Sequence, residues 1–326
     1  MLRVLEADLR SLSLEARRRF PEVKEAAEAA LGRLRSSSDR GELPLPFTLA
    51  DDLLLPFTLA LAARSDTLPP LALAAVQRLL AHGAVHAEHL PAIASQLVAR
   101  AGPPSSDEML LKVLQTVLTV GSCPQLLTSE VVVGQLLSLC LALLSAKSPT
   151  VRRTASATGQ QFVALLLELA MGEAAAAAAA EPTAESSTKL ARLPVASRCA
   201  YLAMLDLCLL AAGEPPQWLS PLGAPVPVLF ALEVVQRALA TSEQLFLGHA
   251  HFRHLLRERV CPLALKCMQH AAQHTAVGEW EMVLRTCHLA TTLLGGYAKV
   301  RAPPSSRSPT RRPINHRRFA RAGSAH

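Results

Sequence analysis

Apolar residues return along this chain at intervals of three and four. Leu2, Leu5, Leu9 and Leu12 are the first instance, and that spacing sets them on one face of a helix. The residue types agree with the spacing. Half of the 326 residues are hydrophobic, yet aromatics supply only 4%, and leucine and alanine dominate the rest. Leucine and alanine lose little freedom in a helix, whereas the β-branched and aromatic residues that favour strands are sparse. The chain is therefore expected to be all-α.

Breaks punctuate this pattern about every 20 residues. Pro21 suits the first turn of a second helix, whose positive end Glu22, Glu25 and Glu28 complement. Residues 36–46 (SSSDRGELPLP) interrupt the pattern. PFTLA then occurs twice, at 46–50 and 56–60, too short a duplication to be a structural repeat. Pro69 and Pro70 open a helix to about His82. Another runs from His86 to Arg100, with a kink or late start at Pro91. Ser106 and Ser129 are candidate caps for the next two, the second reaching Ala146, and Ser148-Pro149 begins a long helix to about Met171. Residues 173–188 hold seven consecutive alanines followed by EPTAESST and read as a linker. Helices are expected again at about 195–212, 225–240, 250–274 and 280–298. Pairs of such helices span about 40 residues, the length of an armadillo- or HEAT-like unit. The expected architecture is thus a solenoid of stacked helix pairs, with a compact bundle as the alternative. The Pro/Ser/Arg-rich segment 299–326 has too few hydrophobes to offset the entropy of folding and is expected to be a disordered tail.

The net charge of +7 belongs to that tail. Lys299, Arg301, Arg307, Arg311, Arg312, Arg317, Arg318 and Arg321 are eight of the 33 basic residues, leaving 25 against 26 acidic ones. The body is close to neutral, which removes the support for nucleic-acid binding. Seven cysteines without a C-x-x-C pair, mostly in apolar runs, behave as small hydrophobes. The charged start MLRVLEADLR and the odd cysteine count point to a reducing, cytoplasmic setting. The uncharged run Val131 to Ala146 is sixteen residues long, short of the roughly 20 that a membrane span needs, and reads as a buried helix.

Few residues suggest chemistry. His82, His86 and His89 form one histidine group, and His249, His251 and His254 another. Three imidazoles could hold zinc, but Gly83 interrupts the first set and no cysteine or well-placed acid completes either. No phosphate loop, dinucleotide fingerprint or nucleophile elbow is present, so no metal, cofactor or catalytic residue is assigned. Arg17, Arg18 and Arg19, at the end of the first helix, complement its negative terminus. With Lys24 they form a candidate contact for an anionic membrane. Arg257, Glu258 and Arg259 lie among apolar residues; about 200° separates the two arginines on a helix, and one is expected to pair with an acid between helices.

Residues 5–31, LEADLRSLSLEARRRFPEVKEAAEAAL, with Phe20, Pro21, Lys24 and Glu25 inside the F-P-x-V-K-E motif, resemble the opening of the Mon-two family. FLGHAHFRHLLRERVCPLALK at 246–266 is similar to a second stretch, with Arg257, Glu258, Arg259, Cys261 and Pro262 in L-L-R-E-R-V-C-P-L. LALAAVQRLLAH, LLKVLQTVLTV and AYLAMLDLCLLAAGEPPQWL match between them, in order. The resemblance implies kinship to the large Sec-seven exchange factors for Arf GTPases, without their catalytic domain. On that basis residues 1–175 correspond to a dimerisation and cyclophilin-binding domain and 176–192 to a linker. Residues 193–298 correspond to the start of the homology-upstream-of-Sec-seven domain, in an amino-terminal piece of a longer type of protein. The implied function is a non-enzymatic scaffold of vesicle and protein transport, peripheral on trans-Golgi network and endosome membranes. Its implied partners are a Dopey-type scaffold, a phospholipid flippase and Arf-like GTPases, besides a possible homodimer. Direct regulation of nucleotide exchange on an Arf-like GTPase is the alternative, and a helical-repeat adaptor outside the Golgi is a third reading.

Overall fold

The computed structural model describes residues 2–39, 51–102, 104–179, 190–220, 225–273 and 280–297. Among them it contains helices and no strand. The first eight helices are α1 (Leu2–Ala16), α2 (Pro21–Asp39), α3 (Asp51–Ala62), α4 (Leu68–Ala81), α5 (Leu90–Ala101), α6 (Asp107–Gly121), α7 (Glu130–Ala142) and α8 (Pro149–Ala179). Then follow α9 (Val195–Ala211), α10 (Val228–Thr241), α11 (Glu243–Gly248), α12 (Ala250–Leu255), α13 (Cys261–Gln273) and α14 (Trp280–Gly296).

The local signals act as expected at several ends. Ser106 caps α6 by accepting the Met109 N–H at 3.3 Å. Ser129 stands at the N-cap of α7 without such a bond. Pro91 gives the late start: residues 87–89 form a 3₁₀ turn before α5. Two glycines close helices because only they adopt positive φ cheaply. Gly83 (φ 65°) and Gly213 (φ 76°) follow α4 and α9. Their N–H groups donate to Leu80 and Leu210, and those of the next residues, Ala84 and Glu214, donate to Leu79 and Leu209. This paired bonding satisfies carbonyls that the helix end leaves open.

Three elements depart from the sequence reading. The duplicated PFTLA hides a helix: its second copy lies in α3, which carries Pro56 and buries Phe57. The serines at 36–38 continue α2 to Asp39 instead of ending it, while 40–50 lie outside the described residues. And α8 does not stop near Met171 but runs on through Glu173 and the alanines to Ala179, since alanine has the highest helix propensity. The segments 180–189 and 298–326, which include most of the expected linker and the tail, also lie outside the described residues.

Helices pack in sequence and also skip by two. α3 meets α5, α5 meets α7, and α7 meets α9; α4 meets α6, α6 meets α8, and α8 meets α10. Odd and even helices therefore form two layers of a solenoid, α1 and α2 closing the first end and α13 and α14 the other, with α14 against α10. The apolar run of α7 is buried inside this stack. Close approach is enforced at Gly121, where a Cβ would come within 2.5 Å of the Phe162 ring. One continuous hydrophobic core runs from Leu5 on α1 to Tyr297 beyond α14.

Candidate docking surfaces and the junction between them

The motif residues near the first end split into two sets. Leu5, Leu9, Leu12 and Ala16 turn inward. Arg17, Arg18 and Arg19 are exposed in the turn that follows α1, so they succeed the helix and do not belong to its last turn. That turn is closed by the Phe20 N–H donating to the Ala16 carbonyl at 3.1 Å. Phe20 packs against the core, Pro21 starts α2, and Glu25 is exposed. Lys24 sits apart from the arginines: its ammonium lies 3.8 Å from Glu28 one turn on. Among the described residues, no ion pair engages Arg17, Arg18 or Arg19.

Near the other end, Arg257, Glu258 and Arg259 occupy a π-turn, Leu256–Val260. The Cys261 N–H donates to Leu256, five residues back, which widens the coil. The physical reason lies beside it. Pro262 has no N–H and its ring would press on the carbonyl of residue 258 in a regular α-helix. Arg257, Glu258, Arg259 and Pro262 are exposed, and Cys261 is half-buried. The Arg259 charge reaches α9: burial pushes the Tyr201 phenol up and the Arg259 charge opposes this. It acts likewise on Cys208, whose thiol burial raises to about 12.

Between these ends, residues that the sequence reading did not single out order the start of the second half and join it to the first. Asp206 is fully buried on α9. Its carboxylate accepts the N–H groups of Gln217 at 2.9 Å, Trp218 at 2.8 Å and Leu219 at 2.6 Å. A buried polar group requires such partners. The loop thereby fixed reaches back to α7, where Trp218 covers Gly134; a Cβ there would lie 3.0 Å from the indole. The Ser220 N–H donates to Ser138 at 2.9 Å. Glu173, in the extension of α8, accepts both the N–H (2.9 Å) and hydroxyl (2.5 Å) of Ser197 in the first turn of α9. Arg198 pairs with Glu130 on α7 at 2.5 Å. Lys266 on α13 donates to the Ala212 carbonyl at 2.7 Å, closing the end of α9.

Chemistry-bearing groups are dispersed or sealed. His249 and His251 have ring centroids 5.3 Å apart, His254 is exposed, and no metal-binding group of three or more His, Cys, Asp or Glu forms among the described residues. In the other set, the rings of His86 and His89 are 6.1 Å apart. Cys140 and Cys199, like Cys208, have thiols raised to about 12 by burial, which suppresses the nucleophilic thiolate. A groove of ≈ 450 Å³ lies between α5, α7 and Trp218, lined by Val98, Val131, Gln135 and Ser138.

These elements coincide with known domain types. Residues 1–174 match the profile of the Mon2/Sec7/BIG1-like dimerisation and cyclophilin-binding domain. Residues 196–299 match the Mon2/Sec7/BIG1-like HUS domain. The chain belongs to the Mon-two (Mon2) family. The family's "Protein MON2 homolog" of Homo sapiens is 32% identical over 281 residues, covering 82% of this chain and 16% of that relative. "Monensin-resistant homolog 2" of Caenorhabditis elegans is 30% identical over 298 residues, 84% of this chain and 18% of its own length. "Protein MON2" of Saccharomyces cerevisiae is 26% identical over 302 residues, 90% and 18% respectively. The chain thus spans about a sixth of these Mon2 relatives. In the described residues, no helix is long and apolar enough to cross a membrane.

Proposed function

We propose that this chain is a non-catalytic docking platform for vesicle and protein transport at trans-Golgi network and endosome membranes. The observation that carries the reading is the double layer of helices with one uninterrupted core in a chain of Mon2-family sequence. Such a stack offers extended surfaces and keeps their spacing. Cys140, Cys199 and Cys208 are buried, and the Asp206 carboxylate, fully buried, is occupied by backbone donors. Self-association is part of the proposal, supported by the matched domain's designation as a dimerisation domain. A Dopey-type scaffold, a flippase and an Arf-like GTPase are the proposed protein partners.

The test is twofold. A tagged chain in cells should overlap a trans-Golgi or endosomal marker; a uniform cytoplasmic distribution counts against the reading. The purified chain, mixed with nucleotide-loaded Arf-like GTPases, should leave the rate of nucleotide release unchanged. Acceleration would replace the platform with a direct exchange regulator.

A further inference from the structure

The outward face of α1 carries a pattern larger than the arginine triplet. Arg3, Arg10 and Arg17 recur every seven residues, as do Val4, Ser11 and Arg18, and Ala7 and Leu14. At 100° per residue these eight positions fill one arc of about 140°. The turn after α1 keeps a helical i to i−4 bond, Phe20 to Ala16, so Arg17 and Arg18 continue the same face. All eight residues are exposed, Val4 to 47% and Leu14 to 59%. The arc contains no acid. The acidic residues of α1 flank it; Asp8 and Glu15 are engaged away from it, and Glu6 holds one of its arginines. Asp8 holds Arg78 at 2.6 Å, and Glu15 accepts the Thr67 hydroxyl at 2.6 Å. Glu6 is shared by Arg10 at 2.6 Å and Arg35 at 3.3 Å.

We infer that this face of α1 docks on an anionic lipid bilayer. Arg3, Arg17 and Arg18 address the lipid phosphates, Arg10 being held by Glu6, and Leu14 and Val4 enter the headgroup layer between them. Charge decides the occupant. A second copy meeting through the same face would set four arginines against four arginines, a like-charge contact that costs affinity. The arginines call for an anionic partner, and the apolar pair between them gains from burial. The face is also the exposed outer side of α1, and none of its residues lines the grooves found among the described residues. Lys24, held by Glu28 on α2, falls outside it. The inference rests on the reading of the chain as a membrane-associated platform and adds the surface that touches the lipid.

The test is co-sedimentation of the full chain with vesicles of phosphatidylcholine alone or with phosphatidylserine added. The variant Arg3→Glu/Arg17→Glu/Arg18→Glu is compared with Arg311→Glu/Arg312→Glu/Arg317→Glu, an equal charge change in the basic tail. Circular dichroism establishes that both keep the helical signal. The parent should bind only the anionic vesicles, and the α1 variant should lose at least about 100-fold in affinity, more than the tail variant loses. Leu14→Trp should add a blue-shifted emission component when anionic vesicles are supplied. Equal binding by the α1 variant and the parent overturns the inference, as does binding that ignores lipid charge or an unshifted Trp at position 14. No binding by the parent overturns it too and leaves an acidic protein surface as the occupant. Capture of protein partners does not depend on these residues, so the platform reading stands or falls separately.

Discussion

The two ends of the stack occupy equivalent positions and have opposite chemistry. Each is a terminal layer that packs inward on one side. The first, α1 with α2, shows arginines interleaved with Val4 and Leu14. The last, α13 with α14, exposes Leu265, Met268, Trp280, Leu284 and Leu294. On α14, Trp280, Leu284, Cys287, Thr291 and Leu294 are all exposed and step by four and three, a seam of the spacing used between paired helices. Position in a solenoid thus does not dictate what a terminal face does. The arginine end repels its own copy and suits an anionic partner, whereas the apolar end gains by being covered.

That contrast has meaning only while the layers between the ends hold together, and the largest expected effect is on their junction. Asp206→Ala strands three backbone N–H groups, that of Leu219 buried, and should cost about 3 kcal/mol in urea unfolding, with early proteolysis in the 212–220 loop. A loss below about 1 kcal/mol would show that the loop is held by Trp218 packing alone. Glu173→Ala removes the cap across the α8–α9 boundary and should cost about 1 kcal/mol. An unchanged unfolding midpoint would mean that the two halves are joined through α7 instead.

Smaller effects sharpen the difference between the ends. Trp280→Ser with Leu294→Ser should alter stability by no more than about 0.5 kcal/mol, yet reduce the association in light scattering that goes beyond the contact of the matched dimerisation domain at 1–174. Persistent association would move the self-contact away from α14. Last comes a pH effect confined to the second half. Burial, followed by the charges of His251 and Arg253, lowers the pKa of His249 from 6.5. A depressed histidine pKa means that the unfolded chain takes up its proton first. Its contribution is therefore whole above about pH 6.5 and declines as pH falls below that. The urea midpoint of the parent should drop between about pH 7 and 5.5 more than that of His249→Asn; equal drops would assign the effect to other groups.

The sequence made the helical class readable because Leu5, Leu9 and Leu12 are both periodic and buried; pattern and packing obey the same geometry. It also marked Ser106 and the late start at Pro91, which are local signals. What it concealed depends on distant partners. Asp206 sits in LDLCLL like any acid on the wet side of a helix, and only the fold brings the 217–219 backbone to it. The available clue was a lone acid in an apolar helix just before a proline pair. Glu173 was obscured by the alanine run, whose composition reads as a spacer although its first turn caps α9. The π-turn depends on a bond five residues back; Pro262 within a helical pattern was its trace. The arginine triplet was visible, but its extension to Arg3 and Arg10 required knowing which side of α1 faces outward.

The unbroken core has a mechanical consequence. Glu173 and Arg198 tie the two matched domains together among the described residues, and the loop that Asp206 fixes returns to α7. If the proposed lipid contact at α1 holds, the continuous core makes the molecule a spacer: a load carried at α14 would be passed through successive helix layers to the end that meets the bilayer.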